Sequence, residues 1–105
     1  MNYFIFTFLK GSVIAGKFKS KMDAIEKIYE KDNFLFHEPF KVSEAELLKS
    51  QGERLFAFIL KDKSLLIYAN SKLDAIRFFM NSSEKSLRLS WFDNDFLVTE
   101  VLKFY

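Results

Sequence analysis

The chain has no cysteine, one proline, three glycines, one histidine and one tryptophan among its 105 residues. Without thiols there are no disulfides, thiolate metal sites or cysteine nucleophiles. The single histidine, His37, cannot build a His-based metal cluster. Its neighbour Glu38 would point to the opposite face of an extended chain, which makes it a poor orienting partner for acid–base chemistry. Long apolar runs are also lacking, since no stretch approaches the roughly 20 residues of a membrane helix. The apolar start Tyr3–Leu9 has no basic residue before it and is ended by Lys10, which argues against a secretion signal. Small secreted domains often depend on disulfides. The expectation is therefore a cytoplasmic chain with no membrane partner.

Charge of one sign is scarce as well. The net charge is +2. Residues 1–52 carry eight basic and seven acidic side chains, and residues 53–105 repeat that balance. No global field draws the chain to nucleic acid or to an anionic surface.

Half of the residues are hydrophobic, and Phe alone occurs 14 times. That composition excludes a disordered chain, and the length suits one domain with its own core. Ser20-Lys21-Met22-Asp23-Ala24-Ile25 recurs as Ser71-Lys72-Leu73-Asp74-Ala75-Ile76, with five of six residues identical. Upstream, Phe6-Thr7-Phe8 is echoed by Phe56-Ala57-Phe58, and Leu9-Lys10 by Leu60-Lys61. The hexamer encodes a helix start. Ser20 and Ser71 can cap free N–H groups, and Asp23 and Asp74 stand where an acidic capping box places them. Met22, Ile25, Ile28 and Tyr29 fall on one face of the first helix, as do Leu73, Ile76, Phe79 and Met80 on that of the second.

A hairpin precedes each helix. Tyr3–Leu9 and Val13–Phe18 flank Gly11-Ser12, while Leu55–Leu60 and Ser64–Ala69 flank Asp62-Lys63. Asn33–Phe36 and Ser86–Trp91 are the expected return strands. Ser43–Ser50 is expected to be a short connecting helix, because Ser43 and Glu46 satisfy a capping box. Pro39 would end the strand before it. Asp93-Asn94 turns the chain into a last strand, Phe96–Phe104. The expected fold is α+β. Two ββαβ-like repeats, about 3–40 and 54–92, are joined by 41–53. They form a mixed or antiparallel sheet packed by two main helices, with an extra C-terminal strand at 95–105.

The strands are apolar on both faces. Phe4, Phe6 and Phe8 oppose Ile5 and Leu9, and Phe56, Phe58 and Leu60 oppose Leu55, Ala57 and Ile59. Such strands are covered on both sides, yet two good helices cover only about one face. The rest of the cover comes either from the sheet folding on itself or from a second copy or partner.

Motifs for chemistry are weak. Asp93-Asn94-Asp95 lacks the glycine and terminal glutamate of a calcium loop. Gly16-Lys17-Phe18-Lys19-Ser20-Lys21 has the wrong order for a phosphate loop, although it places lysines near a helix start. No catalytic residue, metal or cofactor is expected. The leading expectation is a non-catalytic protein-interaction or regulatory module acting through an apolar sheet face or edge, with Phe4, Phe6, Phe8, Phe56 and Phe58 at the interface. Its partner is another protein or a second copy. In its sharpest form the chain would be an inhibitor or accessory factor of a mobile element. The alternative is a nucleic-acid or phosphate-ligand binder using Lys10, Lys17, Lys19 and Lys21, which combines basic and aromatic groups. Only three arginines are present, and arginine is favoured for phosphate forks. A third reading is a small enzyme with His37 as acid or base.

Overall fold

The computed structural model describes residues 1–49, 51–60, 63–81 and 97–105. Strands β1 (Asn2–Phe8) and β2 (Val13–Phe18) form the first hairpin, followed by helix α1 (Lys21–Lys31) and a 3₁₀ turn over Asn33–His37. Strands β3 (Phe40–Lys49), β4 (Arg54–Ile59) and β5 (Ser64–Ala69), helix α2 (Lys72–Met80) and strand β6 (Leu97–Glu100) complete the order. Among the described residues the result is a small α+β domain with a six-stranded mixed sheet, ordered β2-β1-β3-β5-β4-β6, and two helices. All neighbours are antiparallel except β3 and β5.

Local chemistry sets the two helix starts as the hexamer implies. Ser20 Oγ accepts from Asp23 N–H and Ser71 Oγ from Asp74 N–H, both at 3.1 Å. Such caps satisfy donors that the first turn cannot. The buried stripe is narrower than the apolar pattern. Ala24 and Ile28 face inward on α1, and Ala75 and Phe79 on α2. Met22, Tyr29, Leu73 and Met80 are exposed. The alanines let each helix lie close to its strands, which turns the flanking larger residues outward.

Two expected elements differ. Asn33–Phe36 is not a return strand but most of the 3₁₀ turn, and residues 43–49 of the expected connecting helix are strand instead, its last residue lying outside the described ones. Residues 43–49 belong to β3, which lies between β1 and β5. The capping-box spacing at Ser43 and Glu46 is overridden by pairing: Ser43 stands opposite Ile5, and Phe40, Val42 and Glu44 stand opposite Phe8, Phe6 and Phe4. Tertiary pairing outweighs a local preference worth about 1 kcal/mol. Ser86–Trp91 and Asp93-Asn94-Asp95 lie outside the described residues. The expected final strand is represented by β6.

The sheet curls until its two ends meet. After β6, Val101 N–H donates to Leu55 C=O and Leu102 N–H to Val13 C=O, both at 2.8 Å. Ala15 N–H then donates to Lys103 C=O, and Tyr105 N–H to Ala15 C=O. Phe104 thus runs parallel to Ala15, and the last segment ties the edge at β6 to the edge at β2.

This curl supplies the cover that two helices could not. Phe4, Phe6, Phe8, Ile14 and Phe18 pack under Ala24 and Ile28 of α1. Phe56, Phe58, Leu65 and Ile67 pack under Ala75 and Phe79 of α2. Inside the curl, Ile5, Val13, Ala15, Leu55, Ala57, Leu66 and Val101 form a third cluster. Each large apolar side chain buried this way contributes about 1.5–3 kcal/mol.

Candidate interaction edge and its two clefts

The five phenylalanines expected at an interface are covered within the chain. None of Phe4, Phe6, Phe8, Phe56 and Phe58 is more than 4% exposed. They present no exposed surface, and among the described residues the start of β3 has a strand neighbour on one side only.

The phase of β3 follows from one hydrogen bond. Leu9 N–H donates to Pro39 C=O at 3.0 Å. Hydrogen-bonded pairs alternate along an antiparallel ladder, so Lys41, Ser43 and Ala45 bond to β1 opposite Thr7, Ile5 and Tyr3. Val42 and Glu44 turn their backbone groups the other way. Strand β5 joins β3 only from Ala45 onward, opposite Ser64. Val42 therefore has no strand neighbour on that side among the described residues.

A cleft lies on each side of this segment. The inner one, about 530 Å³, is bounded by Thr7, Lys41, Ser43, Ile59, Lys63 and Ser64, with Val42 and Glu44 at its border. The outer one, about 470 Å³, is bounded by Asn2, Phe4, Lys19, Ser20 and Lys21 and shares Val42, Ser43 and Glu44. Ser43 Oγ and Ser64 Oγ lie 3.0 Å apart in a hydrogen bond that either can donate. Ser64, 4% exposed, is the one buried polar residue among those described. Lys41 has no ion-pair partner among the described residues.

The four lysines of the alternative reading do not gather. Lys19 and Lys21 line the outer cleft. Lys17 lies 5.3 Å from the Tyr3 ring centroid. Lys10 sits in the hairpin turn at the far end of β2, its N–H donating to Glu38 Oε1 at 2.7 Å. The start of α1 already holds an acid, because Asp23 Oδ2 accepts from Lys19 N–H at 3.0 Å. That carboxylate occupies the position an anion would take at a helix N-terminus.

Gly16 serves packing. A Cβ there would meet the Phe18 ring at 2.4 Å, and the residue lies within β2 rather than in a phosphate-cradling loop. His37 is exposed at the end of the 3₁₀ turn, and Glu38 serves the Lys10 backbone instead of the imidazole. No group of three potential metal ligands occurs among the described residues. No helix among them is long and apolar enough to cross a membrane.

Polar side chains also clasp the last segment. Asp32 Oδ2 accepts from the Tyr105 hydroxyl in a short hydrogen bond and from Lys103 Nζ at 3.0 Å. The Tyr105 hydroxyl, and then Lys103, hold the Asp32 carboxyl below its ordinary range. Burial, and then the Asp32 carboxylate, push the Tyr105 phenol up. Arg54 forks Glu100 through Nε at 2.8 Å and Nη2 at 2.6 Å, and this hydrogen bonding lowers the Glu100 carboxyl.

Sequence reasoning passed over Thr7, Lys41, Ser43 and Ser64 as site residues. A signal existed. Val42-Ser43-Glu44-Ala45 recurs as Val98-Thr99-Glu100-Val101, and the two stretches pair alike: Val42 and Glu44 face Phe6 and Phe4, while Val98 and Glu100 face Phe58 and Phe56. Comparison with protein-family models, curated proteins and solved structures yields no match for this chain.

Proposed function

We propose that this chain is a non-catalytic protein-interaction module of the cytoplasm, built from two diverged ββαβ units, that takes an extended segment of a protein partner along the Lys41–Glu44 edge of β3. The observation that carries the reading is the outward-turned backbone of Val42 between two clefts. An extended peptide added to a sheet edge gains affinity from main-chain hydrogen bonds, and flanking pockets select alternate side chains. Side chains of such a segment would enter the inner and outer clefts in turn, as strand alternation requires. Among the described residues, Lys41, Lys19 and Lys21 border those clefts beside the acid Glu44, which favours an acidic partner segment.

The two-unit reading rests on pairing. Strand β1 lies between β2 and β3, and β4 between β5 and β6. The return strand of the first unit in this reading is β3, and that of the second is β6.

The test uses peptides selected from a random displayed library against the whole chain. Hydrogen exchange on the complex is expected to show new amide protection at Val42 and Glu44. Val42→Pro removes one outward N–H while leaving the bonds of Lys41 and Ser43 to β1, and it should weaken binding at least about tenfold. Selected peptides that protect other amides, or that bind Val42→Pro equally well, would overturn the reading.

A further inference from the structure

We infer that the inner cleft is an oxyanion site, built to hold one phosphate or carboxylate group between the Lys41 ammonium and the hydroxyls of Thr7, Ser43 and Ser64. The buried cluster inside the curled sheet is apolar and includes Ile5, Val13, Ala15, Leu55, Ala57 and Leu66. At the end where β3 begins, the inward positions become Thr7, Lys41, Ser43 and Ser64. Burying hydroxyls costs free energy unless they are bonded. Across the same opening the hydroxyls are sparser, with buried Val13 opposite Thr7, half-exposed Leu97 opposite Ile59 and Thr99 opposite Ala57.

The donor count favours an anion. Ser43 and Ser64 together carry two hydroxyl protons, and their mutual bond uses one. The second, the Thr7 hydroxyl and the Lys41 ammonium are donors that border one cavity of about 530 Å³. Charge-assisted hydrogen bonds from such a set are about twice as strong as neutral ones. Glu44, the one acid at the border among the described residues, stands on the opposite face of β3, opposite Phe4, so the strand backbone lies between it and the hydroxyls. The site fits an oxyanion that is free in solution or carried by a larger ligand. It does not depend on strand addition at Val42.

The test is an NMR titration of the whole chain at neutral pH and low salt, with inorganic phosphate in one arm and acetate in the other. Saturable shifts are expected at Thr7, Lys41, Ser43 and Ser64. Lys41→Met should weaken binding about tenfold and Ser43→Ala about fivefold, as lost charge-assisted and neutral hydrogen bonds predict. Lys17→Met, at the other end of β2, should bind as the parent does. Saturation by phosphate alone identifies a phosphate ligand, and saturation by acetate alone identifies a carboxylate; either supports the site. The inference is overturned if neither anion saturates, or if folded Lys41→Met binds unchanged. The two proposals are read separately, the anion site by shifts at Thr7, Ser43 and Ser64 and strand addition by amide protection at Val42, so either can fail while the other stands.

Discussion

The two sides of the sheet's opening share an architecture and differ in chemistry. Where β3 begins, Lys41 and Ser43 on that strand and Ser64 on β5 look inward. Where β6 begins, Leu97 and Thr99 on that strand and Val13 on β2 occupy the comparable positions. The outer faces differ too. Arg54, two residues before Phe56, forks Glu100. Asn2 stands two residues before Phe4, and Glu44 forms no ion pair among the described residues. One side carries buried Val13, half-exposed Leu97 and an ion pair, while the other carries the Ser43–Ser64 hydrogen bond and a lysine with no ion pair among the described residues. The difference teaches that one architecture tolerates two chemistries at its opening, and the proposed binding site is placed on the polar one.

The comparison breaks most forcefully in the core. Phe6 under α1 and Phe58 under α2 are both fully buried. Phe6→Ala and Phe58→Ala should each destabilise the chain by about 3–5 kcal/mol, measured by urea unfolding. Similar losses in a single transition fit one cooperative body. Two separate transitions would mean that the halves fold independently, and the curl would then be a late, weak contact.

A smaller effect sharpens the comparison at the helix starts. Ser20→Ala and Ser71→Ala each remove one cap hydrogen bond of the same length, and each should cost about 1 kcal/mol. A loss at one serine only would show that the shared hexamer is used differently in the two halves.

These serines were legible in the sequence because a cap is local chemistry, read within four residues. The hairpins were legible for the same reason. Strand β3 was not, since Ser43 and Glu46 carry a helix-start spacing that only pairing with Phe4, Phe6 and Phe8 defeats. The inner cleft was hidden more deeply. Thr7, Ser43 and Ser64 are unremarkable one by one, and become a group only when β3 lies beside both β1 and β5. The lysines were visible as a run, yet strand direction sends Lys10 to one end of β2 and Lys17 and Lys19 to the other. Their nearness in sequence therefore does not bring all four together.

The smallest expected effect concerns the clasp between Asp32 in the first half and the segment after β6. The folded Asp32 carboxyl is lowered by the Tyr105 hydroxyl and by Lys103, and Glu100 is lowered by Arg54. A carboxyl lowered by folding adds stability above its unfolded pKa, about 3.9 for Asp and 4.3 for Glu. That contribution disappears as pH falls through the lower folded value, because the unfolded state binds its proton first. The parent chain should therefore lose stability on acidification from pH 5 toward pH 2, as followed by urea midpoints. Asp32→Asn should flatten part of that loss, and Arg54→Met a different part, with the two effects adding because the clasps share no residue. The Arg54–Glu100 pair is exposed, so salt should shrink its effect, whereas the part-buried Tyr105 bond to Asp32 should respond less. An Asp32→Asn profile that overlays the parent would mean that the last segment is held to β2 by its backbone bonds and Phe104 alone, and that the polar clasp adds nothing to closure.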